Sequence, residues 1–307
     1  MTFLASDEMK QWATPIFTGL RGSHAHGTFV PPDDPNGTDD IDLCGVYFAD
    51  ARHYIGLTRR PESYEYALGH IDLVYYEFRH FVHLLLKNNP NVISWLWLAP
   101  SAVHDTSPQW EALISIRDLF LSKLCYNTFT GYSYSQLQKM ERMTPEVAEE
   151  YHWLRENIEA AGFTPDKFAP ASFVTVRGWQ ERWQRIHAKY MSGFMGDKRR
   201  QKVLTYGYDV KAAAHLIRLL RMQVEILQSG MVIVDRTGVD ADELIGIKTG
   251  KWSLEQVKAV ADELFVLGKA AAKDSPLPDK PQIEQIEEFT APLLYRHIKR
   301  EYEHATP

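Results

Sequence analysis

The most constraining feature of the chain is Asp40-Ile41-Asp42 set directly before the apolar run Leu43-Cys44-Gly45-Val46-Tyr47-Phe48. The run is rich in β-branched and aromatic residues and predicts a strand. Residues two apart in a strand project from one face, so Asp40 and Asp42 present two carboxylates side by side while Ile41 is expected to point into the core. Paired carboxylates on a rigid strand suit a hard divalent cation, Mg2+ or Mn2+. A third carboxylate on a neighbouring strand completes a clamp for two ions. Asp72 is the candidate, as the one charge within His70-Ile71-Asp72-Leu73-Val74-Tyr75-Tyr76. Glu77 competes for that role but begins the next expected helix. Asp39 is set aside because only Asp40 and Asp42 share a face with the strand that follows.

Upstream, Gly22-Ser23 follows the strand-like run Pro15 to Leu20. With no side chain at Gly22 the backbone can approach a phosphate closely, and amide N–H groups with the Ser23 hydroxyl can cradle it. Gly27 loosens the same loop, and His24 and His26 flank it as candidate substrate contacts or strand-edge polar residues. The stretch Pro31-Pro32-Asp33-Asp34-Pro35-Asn36-Gly37-Thr38 is turn chemistry, read as a surface loop before Asp40.

Gly-Ser, a loop, Asp-x-Asp and a later single Asp resemble the signature of the DNA polymerase beta superfamily of nucleotidyltransferases. More narrowly, Gly22-Ser23-His24-Ala25-His26-Gly27-Thr28 with Asp39-Asp40-Ile41-Asp42-Leu43 is similar to the RNA-repair-pathway, RlaP-like family of bacteria and phages. Two further blocks resemble that family: Asn89-Pro90-Asn91-Val92, and Gly207-Tyr208-Asp209-Val210 continuing through Lys211, His215 and Arg218 to Leu220. The interval between Ser23 and Asp40 is longer than the compact spacing of the superfamily. The resemblance implies a palm-like catalytic domain, Mg2+ (or Mn2+) as cofactor and an NTP as substrate. It further implies NMP transfer to a hydroxyl acceptor, an RNA end such as that of a tRNA, with release of pyrophosphate.

The texture of the chain changes near residue 107. Before it, short strand-like runs alternate with turns, ending in an expected helix Glu77 to Leu86, the break Asn88-Asn89-Pro90-Asn91 and an apolar segment Val92 to Leu98. After it, amphipathic periodicity predicts helices over Gln109–Cys125, Phe129–Met143, Glu146–Ala161, Val174–Ser192, Val210–Ser229, Leu254–Lys273 and Pro281–Glu303. The expected fold is α+β: a small mixed-sheet nucleotidyltransferase domain over residues 1–107, then a helical C-terminal domain over 108–307 that completes the site.

On the expected helix Val210–Ser229, Val210, Ala213, Ile217, Leu220, Val224 and Leu227 form one apolar stripe. Lys211, His215 and Arg218 fall on another, within two turns of one another. A cation, an imidazole and a guanidinium so placed suit the phosphates of a nucleotide, with Lys211 the first candidate. Lys198-Arg199-Arg200-Gln201-Lys202 is a second basic cluster, read equally as a phosphate patch or a solvated face. Arg182 and His187 resemble the Arg-x4-His element of HEPN-type ribonucleases, a weak signal on a long helix. Trp95, Trp97, Trp179 and Trp183 are read as packing.

A net charge of -6 argues against a broad nucleic-acid groove while leaving room for a local basic pocket. Cys44 and Cys125 are expected to be buried and reduced. No run of apolar residues spans a bilayer and no leader is visible at Met1 to Thr14, so the expectation is a cytoplasmic protein without a membrane partner. Two other functions stay open at the level of sequence. One is a nucleotide-binding regulatory module without turnover, and the other is NMP transfer to a protein hydroxyl in the manner of an AMPylator.

Overall fold

The computed structural model describes residues 6–37, 40–142, 145–162, 174–191 and 197–305. Its centre is a five-stranded mixed sheet. The strands are β1 (Ala13–Leu20), β2 (Ile41–Ala49), β3 (Ser63–Leu68), β4 (Ile71–Glu77) and β5 (Val103–Thr106), in the spatial order β3-β4-β2-β1-β5. Strands β2 and β4 run parallel, and the other neighbours are antiparallel. With the many helices that follow, this is the expected α+β class.

Both faces of the central strands are covered, which explains why β2 is an unbroken apolar run rather than an alternating one. Cys44, Val46, Phe48 and Val74 face the large core, built with Phe78, Phe81, Trp95 and Trp110 and with Leu219, Ile226 and Leu293 from far along the chain. Leu43, Tyr47, Leu73 and Tyr75 face a smaller core closed by Met9 and Trp12. Glu77 is buried and caps the helix Phe78–Leu86, its carboxylate accepting from the backbone N–H groups of Arg79 and His80 at 3.0 Å each. Phe78, Phe81, Val82 and Leu85 form the buried stripe of that helix. Cys44 and Cys125 are buried free thiols, and burial raises both above the ordinary thiol value.

By contact the chain divides into one unit of residues 1–132, 219–245 and 263–307, and a second of 133–218 and 246–262. This partition does not coincide with the boundary expected after residue 107, because later helices return to the sheet's core. In the second unit, Tyr151, Leu154 and Ile158 of the helix Pro145–Ala160 pack with Trp183, Ile186 and Val203. Trp95 and Trp183 are buried packing residues, as expected.

Several elements differ from the sequence pattern. The expected helix Gln109–Cys125 is broken: Pro108–Ser115 is helical, Arg117–Phe120 is a tight 3-10 turn, and a new helix runs Leu124–Arg142 where Phe129–Met143 was expected. The break is tertiary in origin. Ser122 is fully buried and its N–H and hydroxyl donate to the Asn88 side chain at 3.1 and 3.0 Å, while the Lys123 N–H donates to the Pro278 carbonyl at 2.8 Å. These bonds replace helical ones, so the apolar period persists where the helix does not. Ile41, expected inward, is 38% exposed because it lies at the first position of β2, beyond the covered part of the sheet. Strands β3 and β5 and the helices Asp197–Tyr206 and Ala241–Lys248 were not legible in the pattern. Among the described residues, no helix is long and apolar enough to cross a membrane.

Candidate active site at the end of the central strand pair

Parallel pairing of β2 with β4 aligns Ile41 with Ile71, Asp42 with Asp72 and Leu43 with Leu73. The two aspartates are therefore register partners on strands about 4.8 Å apart, and both lie on the face that carries Cys44, Val46 and Val74 further along. They stand where that face runs out of apolar cover: Asp42 is partly buried and Asp72 exposed. Asp40 occupies the exposed lead-in just before β2, fixed by the next residue, whose N–H donates to the His70 carbonyl at 2.7 Å. Asp39 lies outside the described residues. Glu77, the competing carboxylate, serves as the helix cap and also accepts from the Tyr54 hydroxyl at 2.6 Å.

The Gly-Ser turn is built against Asp42. At the end of β1 the Arg21 N–H donates to the Asp42 carbonyl at 2.9 Å, and its guanidinium stands 3.5 Å from the Asp42 carboxylate. Gly22 then takes a left-handed φ of +63°, and a β-carbon there would sit 2.5 Å from Asp42 Oδ2. Only glycine allows the turn to pass this close to the carboxylate. One helical turn, Gly22–Ala25, follows, and the Ser23 carbonyl accepts from the Thr28 N–H at 2.9 Å. His24 stacks on Phe29 with ring centroids 4.1 Å apart. His26 is buried, and its Nδ1–H donates to the Val234 carbonyl at 2.8 Å.

Sequence reasoning missed Arg21 and the segment Val234–Thr237, which lies against the same turn. The Arg236 N–H donates to the His26 carbonyl at 3.1 Å, and Gly27 backs onto the Asp235 and Thr237 side chains. The only sequence signal was a pair of opposite charges straight after the apolar run Met231–Val234, some two hundred residues from the turn it touches.

The second unit holds the helical candidates. Lys211 is exposed, and His215 and Arg218 are partly buried on the same helix, Val210–Ser229. His215 Nε2 is shielded from solvent and meets no hydrogen-bond partner among the described residues. Burial, followed by the charges of Arg218, Lys139, Lys211 and Lys248, holds this imidazole well below its ordinary value. Lys139 and Lys248 thus join the two cations and the imidazole read from the sequence. Asp209 caps the helix through the Ala212 N–H at 3.1 Å and pairs with Arg199 at 2.8 Å, so Arg199 of the basic cluster is held structurally. The side chains of Lys198 and Arg200 lie outside the described residues. Arg182 is ion-paired with Glu150 and lies over Trp153, while His187 packs on Trp183 and Tyr151. Ordinary packing accounts for both.

The donor set at the strand end consists of carboxylate oxygens, which fits a hard divalent cation. Asp42 and Asp72 are brought side by side. Among the described residues, no group of three acidic, histidine or cysteine side chains is gathered closely enough to hold an ion, so Asp40 does not close the set here.

The model of the family described as "RlaP: RNA repair pathway DNA polymerase beta family" matches residues 4–291. No curated protein and no solved structure shows a significant match.

Proposed function

The chain belongs to the RNA repair pathway DNA polymerase beta family, and on that premise we propose a metal-dependent nucleotidyltransferase that moves NMP from an NTP to a hydroxyl acceptor, releasing pyrophosphate. The observation that supports this most directly is the Asp42–Asp72 register pair with the Gly22 turn packed on the Asp42 carboxylate. Asp40, Asp42 and Asp72 would hold Mg2+ (or Mn2+), and a bound divalent ion would offset charge on the reacting phosphates and lower the pKa of the acceptor hydroxyl. Asp72, the more exposed of the register pair, is assigned to the acceptor side, where it receives the hydroxyl proton. The backbone of Gly22-Ser23 receives the leaving phosphates, and Lys211, His215 and Arg218 are assigned to the nucleotide. The protein contributes position and charge, with no covalent enzyme intermediate. The acceptor is an RNA end, a tRNA among the candidates, and the chain acts in the cytoplasm.

A nucleotide-binding module without turnover is the second reading. It is favoured by the Arg21 guanidinium that already stands beside Asp42. The two separate in one assay: labelled NTP, magnesium, and RNA ends or protein acceptors in parallel. Transfer of label with pyrophosphate release, lost on adding EDTA and in Asp42→Ala, supports the transferase. Calorimetric NTP binding with no pyrophosphate from any acceptor supports the module. Labelled protein in place of RNA identifies an AMPylator-like activity.

A further inference from the structure

Arg236 is completely buried, yet it lies in a short non-helical segment between two helices. Its guanidinium is saturated. It makes paired bonds to Glu225 at 2.6 and 2.8 Å and to Asp240 at 2.7 and 2.9 Å, and a longer one to the Ile233 carbonyl at 3.4 Å. Asp240 is shared with Arg221, which also bonds Glu243 at 2.9 Å. Burial alone would weaken the hold of Arg236 on its proton, but the bonds to Glu225 and Asp240 outweigh it and raise the group above its ordinary value. The backbone is anchored as firmly: the Arg236 carbonyl accepts from Val239, Asp240 and Ala241 at 2.9 to 3.1 Å.

A buried charge cage of this kind is costly to assemble, and its best-attested use is to fix one arrangement of the chain. What it fixes here is the strap Val234–Thr237. The strap grips the Gly-Ser loop from both sides of one residue: the Val234 carbonyl takes the His26 ring, and the Arg236 N–H meets the His26 carbonyl. It also leaves no room at Gly27, where a β-carbon would stand 2.3 Å from Thr237 Oγ1 and 2.7 Å from Asp235 Oδ1. His26 is tied in turn to the Gly22 carbonyl at 3.2 Å, and Gly22 touches Asp42.

We infer that Arg236 is a positioning residue for the nucleotide site, acting through Val234–Thr237 on His26 and Gly27 to set the Gly22 turn against the Asp42 carboxylate. The inference rests on the nucleotidyltransferase reading and adds to it a long-range determinant of the phosphate loop.

The test uses the full chain with Arg236→Gln and with His26→Ala, which cuts the same link from the loop side and leaves the charge cage intact should Arg236→Gln fold poorly. Amide hydrogen exchange over residues 20–30 and the kcat and KM for NTP are measured together. The expected result is exchange in this loop faster by roughly tenfold and kcat/KM lower by about a hundredfold in each variant that folds, most of it in KM. Unchanged loop exchange in a folded variant overturns the inference, as does faster exchange with wild-type kcat and KM. If the wild type neither binds nor turns over NTP while the exchange coupling is present, the functional reading has failed and the mechanical link has not. If the coupling is absent and turnover normal, only the positioning role has failed.

Discussion

A β-carbon on Gly22 would lie 2.5 Å from the carboxylate oxygen of Asp42, so the Gly-Ser turn and the strand that carries Asp42 share one surface. Gly22→Ala must either move the turn or displace the Asp42 side chain, and it adds the cost of a side chain at φ +63°. We expect a stability loss of only about 1–2 kcal/mol by thermal melting. Pyrophosphate release should fall by roughly a hundredfold or more, out of proportion to stability. Wild-type turnover in Gly22→Ala would show that the contact has no part in the chemistry.

Asp72 is exposed and, among the described residues, carries no structural bond comparable to that of Glu77, which caps a helix and accepts from Tyr54. Asp72→Asn should leave the melting behaviour within about 0.5 kcal/mol of wild type while lowering turnover on the order of a thousandfold. Glu77→Gln should show the reverse: a clear loss of stability with weaker effect on kcat. Turnover and melting measured side by side separate the two carboxylates.

Asn88 is fully buried at φ +49°, and its amide donates to the Phe120 carbonyl at 2.7 Å while accepting from Ser122. Asn88→Ala strands these partners in the core, and chemical denaturation should show a loss of about 2–4 kcal/mol. Asn88→Gly, free to keep the left-handed backbone, should lose somewhat less.

The depressed imidazole of His215 links stability to pH. Its folded-state pKa lies well below 6.5, chiefly through burial and then through the surrounding cations, so on acidification the unfolded chain takes up the proton first. Its contribution is present above about pH 6.5 and is lost as pH falls below it, by about 1 kcal/mol between pH 7 and 5.5. Denaturation midpoints across that range should drop more for the wild type than for His215→Gln. Pyrophosphate bound among Lys139, Lys211, Arg218 and Lys248 would raise the His215 pKa, seen by NMR titration; an unmoved value on binding would place the phosphates elsewhere.

The carboxylate strand was legible because its signal is local. Asp42 followed by Leu43 to Ala49 requires only period and chemistry, and the pairing partner Asp72 stood out as a lone charge in a similar run. The helices Val174–Met191, Val210–Ser229 and Leu254–Asp274 were legible for the same reason. What stayed hidden depends on distant partners. Nothing near Ser122 announces Asn88, and nothing near His26 announces Arg236. Strands β3 and β5 are short, and their exposed positions leave little apolar pattern to read.

The sheet's large core is closed by Leu219, Ile226, Ile286 and Leu293, and the His297 ring bonds the carbonyl of Ala49 at 2.8 Å at the end of β2. The packing of β2 and β4 is therefore complete only once residues as far along as Leu293 and His297 are in place. A chain stopped short of Leu219 carries Asp42 and Asp72 but lacks part of the apolar packing behind the two strands that hold them.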